Sequence, residues 1–324
     1  MKNKYILFKS AQLLIIIAAS VGLIFSVFMA INSYTSQPVQ TQANHRVKTI
    51  VCDGRSYFPK QDMTTVLIMG IDDDGPVKDS GSYNNGGLAD VLWLVVFDES
   101  SEKFDVICFN RDSMIEMTML GIGGKPAGTR VAQLALAHTY GSGLEDSCEN
   151  TVNAVEKLIN NIPIDYYISV NMDAISIITD SVGGVSVNVT DDFSDIDPTI
   201  TQGSIKLNGS QAYNFIRTRR GIGDQKNLSR MERHREFAYG FLQAFSEVDH
   251  SNFVFNTYEE LAPYMVTDCS VENANMLMNK YGDYTLGQMI IPEGKNVQKD
   301  YMEFYIDREK LDRTVVELMY VEKQ

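Results

Sequence analysis

The chain concentrates positive charge in one short stretch. Between Arg217 and Arg235 it carries six arginines and one lysine against two acidic residues, so seven positive minus two negative charges give a local net charge of +5. The whole chain has 28 Lys and Arg against 42 Asp and Glu, a net charge of −14. Crowded like charges repel, and the guanidinium fork matches phosphate oxygens. The stretch therefore predicts a site for a phosphate-bearing anion.

A second interpretation of the basic stretch is a solvated helix face that pairs with acidic neighbours. Gly221 and Gly223 favour a binding site instead, because they divide the stretch into two helical pieces whose arginines face each other across a loop. Ser229 is predicted to cap the second helix. On that helix Arg230 and His234 lie four residues apart and so share a face.

Two aspartates lie beside apolar segments that are typical of buried strands. The segment 64–70 (T-T-V-L-I-M-G) ends just before Asp72, and Asp90 leads into V-L-W-L-V-V-F. If these strands are neighbours, the two carboxylates supply the hard oxygen ligands that Mg²⁺ takes when it also holds a phosphate. The alternative is that both aspartates cap loops, as aspartate commonly does.

The strand after Asp90 is predicted to form an antiparallel hairpin with residues 104–109, through the turn D-E-S-S-E-K. The sequence N-R-D-S follows, with Arg111 and Asp112 at its centre. Loops that follow strand ends are where α/β folds usually bind ligands. Arg111 and Asp112 therefore stand at the end of this predicted hairpin.

Beyond residue 113 the pattern alternates helices with strands. The predicted elements are a mobile loop at 121–128, helices at 146–160 and 172–181, strands at 164–170 and 185–189, and helices from 208 and from 229. This alternation indicates an α/β fold, a three-layer α/β/α sandwich with a mixed central β-sheet. Residues 251–324 are predicted as an α/β extension packed on the main domain, 64–250. Its predicted elements are helices at 257–266 and 271–281, strands at 288–291 and 301–306, and a helix at 308–320.

The N-terminus predicts a membrane anchor. Residues 1–9 contain three lysines and precede an apolar run that is long enough to span a bilayer, so 10–31 are predicted as a transmembrane helix with its start in the cytoplasm. A cleaved signal peptide would need a small residue where Phe28 stands. Residues 32–63 are predicted as a polar stalk and lead-in outside the cell membrane.

Composition narrows the partners of the external part. Its net charge is −17 once the three cytoplasmic lysines are removed from the total of −14, which argues against nucleic acid as a partner. Four widely spaced cysteines without a C-x-x-C argue against a zinc site. Outside the cell Cys108 and Cys148 are a candidate disulfide pair, with buried free thiols as the alternative.

With these elements in order, the chain resembles the LytR-CpsA-Psr family of cell-envelope proteins over about residues 66–244. Seven groups of motifs carry the resemblance: M-G-I-D at 69–72, A-D-V-L at 89–92, F-N-R-D-S at 109–113, Q-L-A-L-A-H-T-Y-G at 133–141, I-D-Y-Y at 164–167, D-S-V-G-G-V at 180–185, and L-N-G-S-Q-A at 207–212 with R-T-R and R-M-E-R-H after it.

The resemblance implies a phosphotransferase at the outer face of the membrane. It would move a glycopolymer, teichoic acid or a capsule-like polysaccharide, from a polyprenyl-pyrophosphate carrier to peptidoglycan. By motif, Asp72 and Asp90 would hold Mg²⁺ or Mn²⁺ against the pyrophosphate. The catalytic residues would be Arg111, Arg217, Arg219 and Asp224. Asp112 is the alternative to Asp224 as the base that accepts the proton. The pyrophosphate would be bound by Arg111, Arg217, Arg219, Arg220, Arg230 and His234, and the prenyl tail by an apolar pocket between sheet and helices.

Two positions depart from the family pattern. The family usually has arginine where this chain has Asp74, and R-S-D where this chain has L-A-D at 88–90. Arg220, Arg130 or Lys125 are candidate substitutes for the two missing arginines. A lipid-binding module without turnover, and a hydrolase that uses water in place of a sugar hydroxyl, are therefore the alternatives.

Overall fold

The computed structural model describes residues 49–218, 227–248, 257 and 260–323. Its strands are β1 (Ile50–Cys52), β2 (Arg55–Pro59), β3 (Met63–Ile71), β4 (Ala89–Asp98), β5 (Lys103–Cys108), β6 (Met114–Leu120), β7 (Pro126–Gln133), β8 (Tyr166–Asn171), β9 (Val185–Val189), β10 (Gly203–Leu207), β11 (Met265–Thr267), β12 (Thr285–Ile290), β13 (Gly294–Gln298), β14 (Met302–Ile306) and β15 (Tyr320–Glu322). Its helices are α1 (Leu136–Thr139), α2 (Glu145–Leu158), α3 (Asp173–Ser181), α4 (Gly209–Arg217), α5 (Asn227–Phe245), α6 (Val271–Tyr281) and α7 (Arg308–Met319), with 3₁₀ turns at Ile122–Gly124 and Ala262–Tyr264.

Six strands form the central sheet, in the order β11-β8-β3-β4-β5-β12. The pairs β3–β8 and β5–β12 are parallel and the other pairs are antiparallel, so the predicted mixed sheet is confirmed. β3 is buried over five consecutive residues from Thr65 to Met69. Such a continuous apolar run is typical of a central strand that is covered on both faces.

The two faces of the sheet carry separate hydrophobic cores. Side chains alternate along a strand, so Leu67 and Met69 enter one core with α2 and α7, whereas Val66 and Ile68 enter the other with α5 and α6. Helices therefore cover both faces. A third core joins α3, α4 and α5 to the β9–β10 hairpin.

The segment 251–324 completes the central sheet, because it supplies both outer strands, β11 and β12. The predicted helix at 257–266 is wrong at its end, where Met265 and Val266 belong to β11; Pro263 precedes this strand within a 3₁₀ turn. The chain ends in β15, which pairs with β2 from the predicted lead-in.

The predicted mobile loop at 121–128 is also wrong in part. β6 and β7 form an antiparallel hairpin, and only the turn at its tip is irregular. Gly123 and Gly124 have φ values of 74° and 69°, which favour glycine over other residues. The many glycines and the proline of this stretch hid the strand pattern.

The cysteines of the described residues are all free. Cys108 belongs to the core on the α5 and α6 face and Cys148 to the core on the α2 face, so the sheet separates the predicted disulfide partners. The predicted transmembrane helix at 10–31 lies outside the described residues. Within them, the structure contains no helix that is both long enough and apolar enough to cross a membrane.

Candidate functional site

A β-bulge directs Asp90 toward the site. Gly70 pairs with Val91 and Ile71 pairs with Ala89, so Asp90 is the extra residue that β4 inserts opposite β3. The bulge breaks the alternation of side chains. Ala89 therefore packs in the α2-side core while Asp90 and Val91 both line a pocket on the other face.

Asp90 forms a buried charge cluster with Arg111 and Arg230. Arg111 Nη1 contacts Asp90 Oδ1, and Arg230 Nη1 donates a hydrogen bond to Asp90 Oδ2 at 2.7 Å. The three side chains are only 4–8% exposed. Burial lowers the pKa of Arg230 to about 10 and also lowers the pKa of Arg111, which the neighbouring Arg230 lowers further. The aspartate offsets part of the mutual repulsion of the two guanidinium groups.

Arg217 forms a second group, the open charge cluster, with Asp72 and Asp74. Its Nη1 lies 2.9 Å from both carboxylate oxygens of Asp74, and its Nη2 lies 3.7 Å from Asp72 Oδ1. The hydroxyl of Tyr213 contacts Arg217 and donates to Asp74 Oδ1 at 2.7 Å. These charged side chains are 32–53% exposed. Asp74 therefore neutralises an arginine of the basic stretch.

Helix α5 holds the end of α4, where Arg217 is the last residue. The Nε–H of Arg233 donates to the Phe215 carbonyl oxygen at 3.3 Å, and the Nε2–H of His234 donates to the Ile216 carbonyl oxygen at 3.1 Å. The last carbonyls of a helix lack partners inside it, so these bonds fix the orientation of α4. Burial and the adjacent Arg230 lower the pKa of His234 to about 3, so the ring is neutral at pH 7.

Both clusters border one pocket, the charged pocket. Its polar lining comprises Asp72, Asp90, Asn171, Arg217, Arg230 and His234. It continues into an apolar cavity between the sheet and helices α3 and α5. The two share the residues Gly70, Val91, Val170, Ile175, Ile216 and His234. Among the described residues that line the apolar cavity, His234 is the one that carries an ionisable side chain.

The structure brings together six of the predicted site residues: Asp72, Asp90, Arg111, Arg217, Arg230 and His234. Arg111 lies behind Asp90 and does not line the charged pocket. Arg219, Arg220 and Asp224 lie outside the described residues. The proposed substitutes Lys125 and Arg130 are exposed on the β6–β7 hairpin and do not border this pocket.

Asp112, the alternative base, is buried beneath the site. Its Oδ1 accepts a hydrogen bond from Gln133 Nε2 at 2.9 Å and lies 3.5 Å from Arg111 Nε. Burial raises its pKa, and Arg111 and Arg230 oppose that rise. These contacts direct Asp112 toward the hairpin and Arg111. Tyr213 and Asn171 were missed by sequence reasoning, since neither carries a motif of its own.

The donor set of the charged pocket fits a divalent cation that is shared with a phosphate. Asp72 and Asp90 both line it, and among residues 49–218, 227–248, 257 and 260–323 no three acidic, histidine or cysteine side chains converge as a metal site. Mg²⁺ is commonly held by one or two carboxylates together with substrate phosphates and water. Two carboxylates beside an anion pocket meet that requirement.

Comparison with known proteins identifies the family. The sequence model of the LytR_cpsA_psr family matches residues 26–319. The chain belongs to this family. A Bacillus subtilis relative, "Polyisoprenyl-teichoic acid--peptidoglycan teichoic acid transferase TagU", is 25% identical over 222 residues, which are 68% of this chain and 65% of that protein, just under two thirds of its length.

Two further members extend the comparison. The TagU protein of Oceanobacillus iheyensis is 24% identical over 277 residues, which cover 83% of this chain and 78% of that protein. The solved structure "TagT bound to LIIa-WTA" superposes with a TM-score of 0.62 at 21% identity, covering 88% of this chain and 98% of that one. The structural match shows a shared fold.

Proposed function

We propose that the protein is a membrane-anchored, extracytoplasmic phosphotransferase. It moves a glycopolymer from a polyprenyl-pyrophosphate carrier to peptidoglycan during cell wall assembly. Family membership and the transferase activity for which its TagU relatives are named support this proposal. The glycopolymer is teichoic acid or a capsule-like polysaccharide.

One observation carries the proposal: the charged pocket is continuous with the apolar cavity. A lipid carrier has a long hydrocarbon chain and a strongly anionic head, and these two cavities match its two parts. An apolar cavity removes a prenyl chain from water, which is favourable in proportion to the area buried. The guanidinium groups of Arg217 and Arg230 face the position of the head group.

The reaction is a displacement at the sugar-side phosphorus. A hydroxyl oxygen of the acceptor forms a new bond to this phosphorus, the bridging bond of the pyrophosphate breaks, and polyprenyl phosphate leaves with the bonding electron pair. The acceptor proton passes to a base. Arg217 and Arg230 stabilise charge on the phosphoryl oxygens, and Arg111 holds Asp90 in place from behind.

Mg²⁺ or Mn²⁺, when bound by Asp72 and Asp90, neutralises charge on the pyrophosphate. Both carboxylates are paired with arginines in the described structure. Asp72 and Asp90 would hold the cation, and Arg217 and Arg230 would then be available to the phosphates. Chelator is expected to abolish transfer, and full activity in chelator would contradict the roles of Asp72 and Asp90.

The test uses the full chain in lipid vesicles, a lipid-linked glycan donor and isolated peptidoglycan. Incorporation of labelled glycan is the expected result, together with polyprenyl lipid detected by native mass spectrometry. Bound lipid without incorporation or release would favour the lipid-binding module. Release of glycan phosphate into water without incorporation would favour the hydrolase.

The location is proposed on the N-terminal sequence, with residues 10–31 as a single membrane span and the N-terminus in the cytoplasm. A reporter fused after residue 324 is expected to be active only outside the cytoplasm. Cytoplasmic activity of that reporter would overturn the assigned location.

A further inference from the structure

A second large cavity, the polar cavity, lies beside the charged pocket and shares Asp72 with it. The side chains that line it include Asp73, Lys78, Asp79, Asn85 and Ser169. It lies between the loop that follows β3 and the segment that precedes α2.

The polar cavity lies on the face of the sheet opposite to the apolar cavity. Ile71, Ser169 and Asn171 line the polar cavity, whereas the alternate residues Gly70 and Val170 line the apolar one. Successive side chains of a strand point to opposite faces. The sheet therefore separates the two cavities, and they share no lining residue among those described.

The charged pocket connects the two. It shares Asp72 and Asn171 with the polar cavity, and it shares six residues with the apolar cavity. The order across the edge of the sheet is therefore apolar cavity, charged pocket, polar cavity. Asp72 therefore borders both the charged pocket and the polar cavity.

The wall of the polar cavity is held by backbone contacts. Val77 N–H donates to the Pro263 carbonyl oxygen at 2.7 Å, and Ser80 N–H donates to the Ser142 carbonyl oxygen at 2.9 Å. A Cβ at Gly86 would lie 2.7 Å from the Gly143 nitrogen, so only glycine permits this close approach. The cavity is preformed, which reduces the entropy lost when a ligand binds.

We infer that the polar cavity is a saccharide subsite and that it binds the acceptor sugar of the transfer reaction. Carboxylates, an amide, an ammonium group and a hydroxyl provide both donors and acceptors, as the hydroxyl groups of a pyranose require. This inference rests on the proposed function. The cavity is assigned to the acceptor, and not to the donor, because the attacking oxygen must approach opposite to the leaving group. The leaving polyprenyl phosphate lies on the apolar side.

Substitutions in the cavity wall test this assignment. Asn85→Ala and Lys78→Ala each remove a polar group from the wall, and Asn85→Trp fills the cavity. The matched controls are Asn296→Trp and Lys295→Ala on the exposed strand β13. Transfer is measured in vesicles at varied donor and varied acceptor concentration, with thermal melting as a check on folding. In the variant that combines Lys78→Ala with Asn85→Ala, the KM for the acceptor is expected to rise roughly tenfold. The donor KM and the β13 controls are expected to stay unchanged.

Three outcomes separate the possibilities. A rise in the acceptor KM alone supports the inference. A rise in the donor KM alone means that the cavity holds the donor glycan, and unchanged constants mean that it holds no sugar; either result overturns the inference.

If the wild-type protein binds lipid donor but transfers nothing, the subsite is tested by saturation-transfer NMR with soluble peptidoglycan glycan fragments. Glycan signals lost in Asn85→Trp support the subsite, and signals retained overturn it, even though the proposed function has then failed.

Discussion

The two charge clusters pair arginine with aspartate in opposite environments. In the buried charge cluster, Asp90 lies between Arg111 and Arg230 with at most 8% of each side chain exposed. In the open charge cluster, Arg217 contacts Asp72 and Asp74 with 32–53% exposure. The residue types are the same, yet the consequences of breaking each cluster differ.

The two clusters are expected to contribute differently because their burial differs: the buried charge cluster stabilises the fold, and the open charge cluster can exchange its partner for another anion. Water screens an exposed ion pair, which contributes roughly 0–1 kcal/mol and exchanges readily for another anion. A buried charge that loses its partner is left without solvation, at a cost of about 3–5 kcal/mol. We therefore expect the buried charge cluster to fix the geometry of the pocket and the open charge cluster to respond to the substrate.

The largest effect is expected for Asp90→Ala. It leaves Arg111 and Arg230 buried together, so the free energy of unfolding should fall by about 3–5 kcal/mol in denaturant titration. Asp72→Ala in the open charge cluster is the control and should change it by less than about 1 kcal/mol. Equal losses in the two variants would erase the distinction between the clusters.

Next in size is the effect of Arg217→Ala on transfer. Loss of a guanidinium that stabilises developing phosphoryl charge should lower the transfer rate on the order of a hundredfold. The unfolding midpoint should move little because Arg217 is 40% exposed. Arg235→Ala, on the same basic stretch but paired with Glu232, is the control. A fully active Arg217→Ala protein would remove this residue from the mechanism.

Acid is expected to lower the free energy of unfolding because the buried ring of His234 resists protonation. The folded pKa of about 3 lies below the ordinary value of 6.5, so on acidification the unfolded chain binds the proton first. Its contribution to stability is complete above pH 6.5 and is lost toward pH 3, with a slope of about 1.4 kcal/mol per pH unit. His234→Gln keeps a donor for the Ile216 carbonyl but does not titrate, so its urea-derived stability should show a smaller slope. The same slope in both proteins would contradict the assignment to His234.

The smallest effect is expected for Asp74→Asn. Removing the carboxylate charge frees Arg217 for an external anion, so inorganic pyrophosphate should bind a few times more tightly in calorimetry, by about 1 kcal/mol at most. Asp73→Asn makes the same change of charge one residue away and serves as the control. Unchanged affinity in Asp74→Asn would mean that Asp74 does not compete with the substrate.

Much of the fold followed from periodicity. The strands at 63–71 and 89–98 and the helix at 145–158 have strong apolar patterns, so their positions were predicted to within a few residues. β7 and β10 were not predicted, because they contain few apolar residues and much of each strand is exposed. The pairing of β2 with β15 joins distant parts of the chain and leaves no local signal.

The sequence indicated which residues line the charged pocket, but not which arginine pairs with which aspartate. Motifs brought Asp72, Asp90 and Arg217 to one place in the sequence argument, and the structure places them around one pocket. The bulge at Asp90 depends on the register between two strands, which composition does not encode. The role of Asp74 as partner of Arg217 depends on the contact between a loop and α4. The departure from the family pattern at this position was its one visible signal.

The origin of the outer strands of the central sheet has a consequence for how the protein is made. Lys103 in β5 pairs with Thr285 in β12, so this contact closes a very long loop, and such distant pairings slow folding. A chain that emerges from its N-terminus holds β5 and β8 as open edges until residues 265–290 arrive. Open edges recruit strands from other chains. Premature termination before residue 290 would therefore yield an aggregation-prone fragment rather than a smaller working enzyme.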